Sequence, residues 1–467
     1  MCRRLVVIVC LLIAARWGDA LTAEHRSNNR YVKLPVVHST NQQVFSKVYQ
    51  NKRDVSTVPL AKRADVAYYA RLNIGSPPQP VYVQLDTGSF ELWVNPDCSN
   101  LKGMSEVRFC RAVGQYDPSS SSTSAELTTG KILKYGIGSA YIRYVTDTIG
   151  LAGTDTILKD VQFGVAIETV DEFAGILGIG HGENITIRYR NMVDQLAAQG
   201  ATNTKAFSLA LGSKDEQEGV IVFGGLDTSK FAGTLQTQPI IAAKHSPDGV
   251  QRYWIDMASL TLVPPSGEPV EYINTTMTVF LDSGSTLTLL PTELADTIAA
   301  DFGAGPANEL GFYTVDCDLN NQPGMLDFGF NGVTIHVPYR ELVREVLTDA
   351  GVECFLGISP STKFSLLGDT MLRSAYAVFD QTNSAIHLAQ YTNCGSNERE
   401  ITANTNFTAT TGDCQHPDLL SPAGNWGSAS GMDESDSKAS AHIRADLVSW
   451  AAFWAIVYTS ILSNRIF

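Results

Sequence analysis

The 467-residue chain predicts a mainly β, all-β-class protein with a few short helices, built as two similar halves. Short runs of alternating apolar and polar residues, rich in Val, Thr, Tyr and Ser, end repeatedly in Gly, Pro, Asn or Asp, the punctuation of strands and tight turns. The length exceeds one ordinary domain and suits two large lobes with terminal extras. One unusual pattern also occurs twice, an apolar strand running into Asp, a hydroxyl residue, Gly and Ser: VYVQLDTGS at 81–89 and TVFLDSGST at 278–286. Asp86 and Asp282 lie 196 residues apart. A carboxylate at the end of an apolar run is costly to bury unless something uses it, and two such carboxylates point to a shared site.

The elements follow in order. Tyr68 to Ile74 alternates as a strand, and Gly75-Ser76-Pro77-Pro78 turns it into the strand from Val81 to Leu85 that delivers Asp86. Strands at Lys131 to Lys134 and Ala140 to Val145 flank Tyr135-Gly136-Ile137-Gly138-Ser139, a hairpin tip. Ala174 to Gly180 is an apolar, Gly-spaced strand, followed by a helix near Arg188 to Gln199. The second half repeats the order: the strand at Val279 to Asp282, a helix at Thr292 to Phe302 and the apolar-apolar-Gly strand at Phe364 to Asp369. A further helix is expected over Tyr339 to Ala350. The repetition reads as an internal duplication with its boundary near 240–250, giving lobes at 64–245 and 246–395.

The termini read differently from the body. Arg3 and Arg4, the apolar run from Leu5 to Ala15 and small residues at Gly18 and Ala20 make residues 1–20 a secretory signal. Residues 21–63 carry eight basic residues against Glu24 and Asp54, whereas everything after residue 63 has 23 basic and 45 acidic residues, a net of −22. A basic leader ahead of an acidic body suits a removable propeptide that docks by charge. Lys62-Arg63 is the expected cut for a kexin-like processing protease, with Lys52-Arg53 as a second dibasic pair. From Ser396 the composition shifts to Thr, Asn, Ser, Gly and Asp, a linker over 396–446 that is not expected to bury a core. It leads to a tail at 447–467 whose sixteen largely apolar residues, Leu447 to Leu462, span a bilayer poorly. A small-residue site, a polar spacer and a short apolar tail read as a GPI-attachment signal, at Ser428 or at Ser435, and hence as a membrane link through that anchor.

Six cysteines remain once Cys2 and Cys10 leave with the signal: Cys98, Cys110, Cys317, Cys354, Cys394 and Cys414. An even count in an exported chain argues for disulfides, with fifteen pairings open and neighbour pairing the simplest. Sequons at Asn184, Asn274 and Asn406 fit the same route. No cysteine spacing resembles a zinc site, no Lys-Ser/Thr follows the glycines at 178–182, and neither HExxH nor Gly-x-Ser-x-Gly occurs. Metal, cofactor and nucleic acid are therefore not expected, and a monomer is.

Two carboxylates held close cannot both ionise cheaply, so they share a proton: one can act as base while the other is acid. Such a pair can deprotonate a water, protonate a carbonyl oxygen and then protonate a leaving nitrogen, hydrolysing an amide without metal or covalent intermediate.

In order and spacing, LDTGS, YGIGS, AGILGIG, FLDSGST and LLGDTMLRSAYAVFD resemble the pepsin family of aspartic proteases over roughly residues 64–395. The resemblance implies a bilobal acid-protease fold with the cleft between the lobes and a polypeptide substrate. It makes Asp86 and Asp282 the catalytic dyad, with Gly88 and Gly284 lining the water site. Thr87 and Ser283 would cross-brace the loops, and Ser89 and Ser285 would hydrogen-bond the carboxylates. Tyr135 and Gly136 would sit on a flap over the substrate, with Trp93 steadying the tyrosine. Between the flap glycines Ile137 stands where some relatives carry an acid that favours Lys in the substrate. Phe90 and Glu91 stand where small or polar residues are common. The dibasic pair, the Ser/Thr-rich extension and the apolar tail look like the surface-anchored, yapsin-like fungal branch. Two readings from other classes compete: a catalytically silent pepsin-like binding protein, and a structural cell-wall mannoprotein, which leaves the duplicated aspartates unexplained.

Overall fold

The computed structural model describes residues 30–38, 67–101, 104–136, 138–216, 218–348 and 351–417. The signal at 1–20, the Lys62-Arg63 cut, Ile137, Ser428, Ser435 and the tail at 447–467 lie outside the described residues.

The first half contains β1 (Val32–His38), β2 (Tyr68–Ile74), β3 (Gln79–Asp86), β4 (Leu92–Val94), β5 (Ala125–Lys134), β6 (Ser139–Leu151), β7 (Ile157–Val170) and β8 (Gly175–Gly178). It continues through β9 (Ala206–Ala210), β10 (Glu218–Phe223), β11 (Gly225–Asp227) and β12 (Phe231–Pro239). The second half begins with β13 (Trp254–Met257), β14 (Ser259–Val263), β15 (Val270–Glu271), β16 (Met277–Leu281), β17 (Thr288–Pro291) and β18 (Thr314–Val315). Then come β19 (Met325–Phe330), β20 (Val333–Pro338), β21 (Val343–Thr348), β22 (Gly351–Leu356), β23 (Ile358–Ser361) and β24 (Ser365–Leu367), and the chain ends in β25 (Ala375–Asp380), β26 (Ala385–Tyr391) and β27 (Glu398–Glu400).

The duplication is visible strand by strand. In the first half the order β2-β3-β8-β4-β7 runs antiparallel, parallel, antiparallel, parallel. In the second, β13-β16-β24-β17-β23 runs in the same sequence of senses. Each half thus sets its Asp at the end of a strand paired in parallel with an apolar-apolar-Gly strand: Leu85 opposite Leu177, and Leu281 opposite Leu367. The Gly-ended partners read as continuous apolar runs because they are covered on both faces, whereas β3 alternates buried and half-buried residues up to Leu85 and Asp86.

The halves are tied together by β25 and β26, which join β9 and β12 in one 13-stranded sheet. Beneath the junction Phe207 stacks on Phe379 at 4.8 Å, and the Tyr253 hydroxyl donates to the Ile179 carbonyl at 2.6 Å. Three disulfides join Cys98 to Cys110, Cys317 to Cys354 and Cys394 to Cys414.

Several expectations are corrected. The helix expected over Tyr339 to Ala350 stops after one turn, Tyr339–Leu342, and Val343–Thr348 instead forms the hairpin β21-β22. Its β-branched alternation, and Cys354 stapled to Cys317, favour the strand. The helix near Arg188 to Gln199 is shorter, Met192–Ala198, because Asn191 and Asp194 form a capping box that fixes its start. Helix Met104–Ala112, between the first two cysteines, was not anticipated. The basic leader does not dock by charge alone: β1 inserts between β10 and β2, with Leu34 opposite Ile221. Its Lys33 bonds Ser396 and Glu398 and lies 3.9 Å from Asp227. The expected linker also begins later than Ser396. β27 pairs with β11, Ile401 and Phe407 are buried, and the Phe407 ring stacks on His387 at 3.8 Å.

Candidate active site

Both Asp-Gly loops leave the ends of β3 and β16 and meet at the junction of the halves. The Gly88 N–H donates to Asp86 Oδ1 at 2.8 Å, and the Gly284 N–H donates to Asp282 Oδ1 at 3.0 Å. Each glycine also faces the other half's acid. A Cβ on Gly88 would stand 2.5 Å from Asp282 Oδ1, and a Cβ on Gly284 would stand 2.4 Å from Asp86 Oδ1. Only a residue without a side chain allows the two loops to approach this closely.

The hydroxyl residues lock the approach. The Thr87 hydroxyl donates to the Leu281 carbonyl at 2.8 Å and accepts from the Ser283 N–H at 2.9 Å. Reciprocally, the Ser283 hydroxyl donates to the Leu85 carbonyl at 3.0 Å and accepts from the Thr87 N–H at 3.2 Å. Both hydroxyls are fully buried and satisfied, so loss of either leaves the opposite loop with unpaired backbone groups. Gln84 adds a bond across the junction, from Nε2 to the Gly284 carbonyl at 3.2 Å.

Burial pushes both carboxyls up. For Asp86, the nearby Ser89 hydroxyl, the bond from the Gly88 N–H, the neighbouring Asp282 carboxyl and the Arg252 charge work against that rise. Asp282 is held well above the usual carboxylate range by burial and then by the charge of Asp86. The direction is that of a pair that keeps a proton where isolated carboxyls have lost theirs.

The two serines that follow the glycines do not behave alike. The Ser285 hydroxyl donates to the Leu287 carbonyl at 3.1 Å and not to a carboxylate, a correction that follows from the turn formed after Gly284. Ser89 Oγ is buried close enough to Asp86 to favour its ionised form, yet no partner stands in hydrogen-bonding geometry to it.

Above the loops, the β5-β6 hairpin carries Tyr135 and Gly136 at its tip. The Trp93 indole N–H donates to the Tyr135 hydroxyl at 2.7 Å, which aims the ring from the fully buried middle of β4. Glu91 is buried at the base of this hairpin, where Tyr189 donates to it at 2.7 Å and Tyr144 and Lys131 also bind it. This carboxylate ties the catalytic loop to both hairpin strands, which explains why an acid is tolerated there.

Sequence reasoning missed two charged residues at the site. Arg252, just before β13, donates to the Gly88 carbonyl, pairs with Asp248 at 2.7 Å and lies over the rings of Phe90 at 5.2 Å and Phe280 at 5.5 Å. Its position immediately before the second half's first strand was the available signal. Glu172, in the turn between β7 and β8, lies beside the hairpin tip, and nothing periodic distinguishes it in the run Val170-Asp171-Glu172-Phe173.

A bilobal β fold whose halves each present an Asp-Thr/Ser-Gly loop to one junction defines the pepsin-type aspartic proteases. The family model of the eukaryotic aspartyl proteases matches residues 67–391, and the chain belongs to that family. It is an aspartic-type endopeptidase by that membership. Among its relatives is the probable aspartic-type endopeptidase opsB of Aspergillus fumigatus, 32% identical over 415 residues, covering 85% of this chain and 83% of that protein. Secreted aspartic protease 8 of Candida albicans is 38% identical over 332 residues, 69% of this chain and 76% of the relative. The crystal structure of the aspartic proteinase from Irpex lacteus superposes with a TM-score of 0.57 at 20% identity, covering 77% of this chain and 97% of that one, a likeness of fold.

Proposed function

We propose that the chain is a secreted aspartic endopeptidase in which Asp86 and Asp282 together activate a water for attack on a peptide carbonyl. The observation that carries this reading is reciprocal: each loop's glycine packs against the other loop's carboxylate, so the two acids face one small space. One ionised carboxylate takes a proton from the water while the protonated one gives its proton to the carbonyl oxygen. The tetrahedral intermediate then collapses as a carboxyl returns a proton to the leaving nitrogen. No bond between enzyme and substrate is formed. Thr87, Ser283, Gly88 and Gly284 hold the geometry. Tyr135, steadied by Trp93, and Gly136 close over an extended substrate held by its backbone, with pockets reading alternate side chains.

The chain is further read as a monomeric zymogen of the secretory pathway. The signal at 1–20 directs export, and cleavage at Lys62-Arg63 separates the leader. Because β1 belongs to that leader, its loss would uncover the edges of β2 and β10, so activation includes withdrawal of a strand from the central sheet. Asn184, Asn274 and Asn406 are all exposed, as glycan acceptors require. The apolar tail is read as a signal for GPI attachment at Ser428 or Ser435, which places the enzyme at the cell surface as in the yapsin-like branch.

Incubation of the processed protein with a peptide library tests the catalytic reading. Internal cleavage is expected, inhibited by a peptide bearing a secondary alcohol in place of the scissile amide. A folded, processed protein that binds the alcohol peptide without cutting any member would instead be a silent binding protein. Release from membranes by a phosphatidylinositol-specific phospholipase tests the anchor; retention with the apolar tail still present by mass spectrometry would refute it.

A further inference from the structure

Two of the three nitrogens of the Arg252 guanidinium are engaged and one is not. Nε donates to Asp248 Oδ2 at 2.7 Å, and Nη1 donates to the Gly88 carbonyl. Asp248 is itself fixed, because its other oxygen accepts the Val250 N–H at 3.0 Å. Nη2 has no hydrogen-bond partner among the described residues, and the side chain is 25% exposed, so two N–H donors stay open. They stay open beside the reacting groups. Gly88 gives its N–H to Asp86, and a Cβ on it would stand 2.5 Å from Asp282 Oδ1. The charged groups that act on Arg252 are Asp248 on its own loop, Asp86 on the loop after β3 and Asp282 on the loop after β16. Asp248 takes one edge of the guanidinium, and the proton-sharing dyad carries one charge across two acids, so neither closes the Nη2 edge. Phe90 from the first half, at 5.2 Å, and Phe280 from the second, at 5.5 Å, hold the guanidinium between them. A planar fork already held in place recognises a carboxylate at little further cost in side-chain entropy.

We propose that Arg252 is a specificity-determining residue of the cleft, whose open Nη2 edge receives a substrate carboxylate close to the scissile bond, the side chain of an Asp or Glu flanking the cut. The inference rests on the endopeptidase reading above and names the substrate class of that same site. A carboxylate at the end of a short peptide offers the same chemistry, and the test separates the two sources. Arg252 stays charged at every pH at which the protein is folded. The substrate carboxyl does not: in an open peptide a Glu loses its proton near about pH 4.3. Preference for the acidic substrate therefore strengthens as pH rises through that value, because only the ionised form makes a charge-assisted bond to the guanidinium.

The test uses C-terminally amidated peptides in pairs identical except for Glu or Gln at one position, scanned across the residues flanking the cut. At one position kcat/KM for Glu at pH 6 should exceed that for Gln on the order of threefold to thirtyfold. The ratio should fall to near one in Arg252→Gln and keep part of its size in Arg252→Lys. Both members of a pair meet the same dyad at the same pH, so the effect of Arg252 on the dyad cancels from the ratio. The wild-type ratio should also climb between pH 3 and 6, a measurement that stands even if the variants fail to fold. A second arm compares free-acid and amidated ends on a peptide that stops one or two residues past the cut, and a preference confined to this arm overturns the side-chain assignment in favour of the chain end. Ratios near one in every pair, ratios that persist in Arg252→Gln, or ratios flat with pH overturn the proposal and leave the endopeptidase reading intact. Cleavage of no peptide by the folded, processed enzyme rejects the endopeptidase reading itself.

Discussion

Arg252 shows how one side chain from the second half can tune a loop of the first. Its guanidinium bonds the Gly88 carbonyl, is paired with Asp248 and is held between Phe90 and Phe280. Its charge favours the ionised form of both Asp86 and Asp282. Arg252→Gln removes that charge, so both carboxyls should lose their protons at higher pH. The pH profile of kcat/KM should then move upward on both limbs by a few tenths of a unit to about one unit. A merely structural role would lower the profile without moving it, and an unmoved profile contradicts the tuning. The aromatic partners also explain Phe90, which looked out of place after the first catalytic loop: its ring is a wall for Arg252.

At the scale of elements, the duplicated strands were legible and the irregular pieces were not. The Gly-ended strands were readable because a strand buried on both faces needs an unbroken apolar run, and the Asp-bearing strands because each ends in a loop at close approach that needs Gly. The segment after Ser396 was misread because composition reports how much apolar surface a stretch has, not whether a disulfide holds what little there is. Here Cys394–Cys414 closes a loop that seats Phe407 on His387 and Ile401 in the apolar core beside it. Hairpin β21-β22 was misread for a related reason, since β22 is stapled through Cys354 to Cys317, distant in sequence. Cys394→Ser with Cys414→Ser should destabilise the protein by about 2–4 kcal/mol and open residues 396–417 to limited proteolysis. Unchanged denaturant midpoint and cleavage pattern would show that the loop's packing stands without the bond. The charged residues of the site were least legible, because Glu172 and Arg252 acquire their meaning from neighbours on other strands.

For the whole molecule, the raised carboxyls set the direction of its pH dependence above neutrality. Asp282 and Glu172 keep protons in the folded protein to higher pH than in the unfolded chain, where carboxyls lose them near pH 4. The folded state binds more protons across that window. The stability these two groups contribute is therefore complete below about pH 4 and declines as pH rises through the folded value, about 8 for Glu172. Asp147 acts oppositely, since hydroxyl bonds from Thr123 and Tyr116 outweigh its burial, with its loss confined to acid below the usual carboxylate value, and the buried His38 and His181, each lowered to about 4, also oppose by costing stability as pH falls below about 6.5. Self-repulsion in a body of net charge −22 adds to the alkaline decline. Above the range where His38 and His181 act, thermal melting at pH 7, 8 and 9 should give a Tm that falls at each step, and a Tm that holds or rises contradicts the role of the raised carboxyls.

The two loops form one divided site, and that claim is tested most directly by Asp86→Asn and Asp282→Asn made separately in the full chain. Each change is isosteric, so both proteins should fold and still bind the alcohol-bearing peptide. Each alone should lower kcat/KM by on the order of 10² to 10⁴ or more, because neither carboxyl can do both proton transfers. If either variant, folded and processed, cleaves peptides at near the wild-type rate, the two acids do not act as one site.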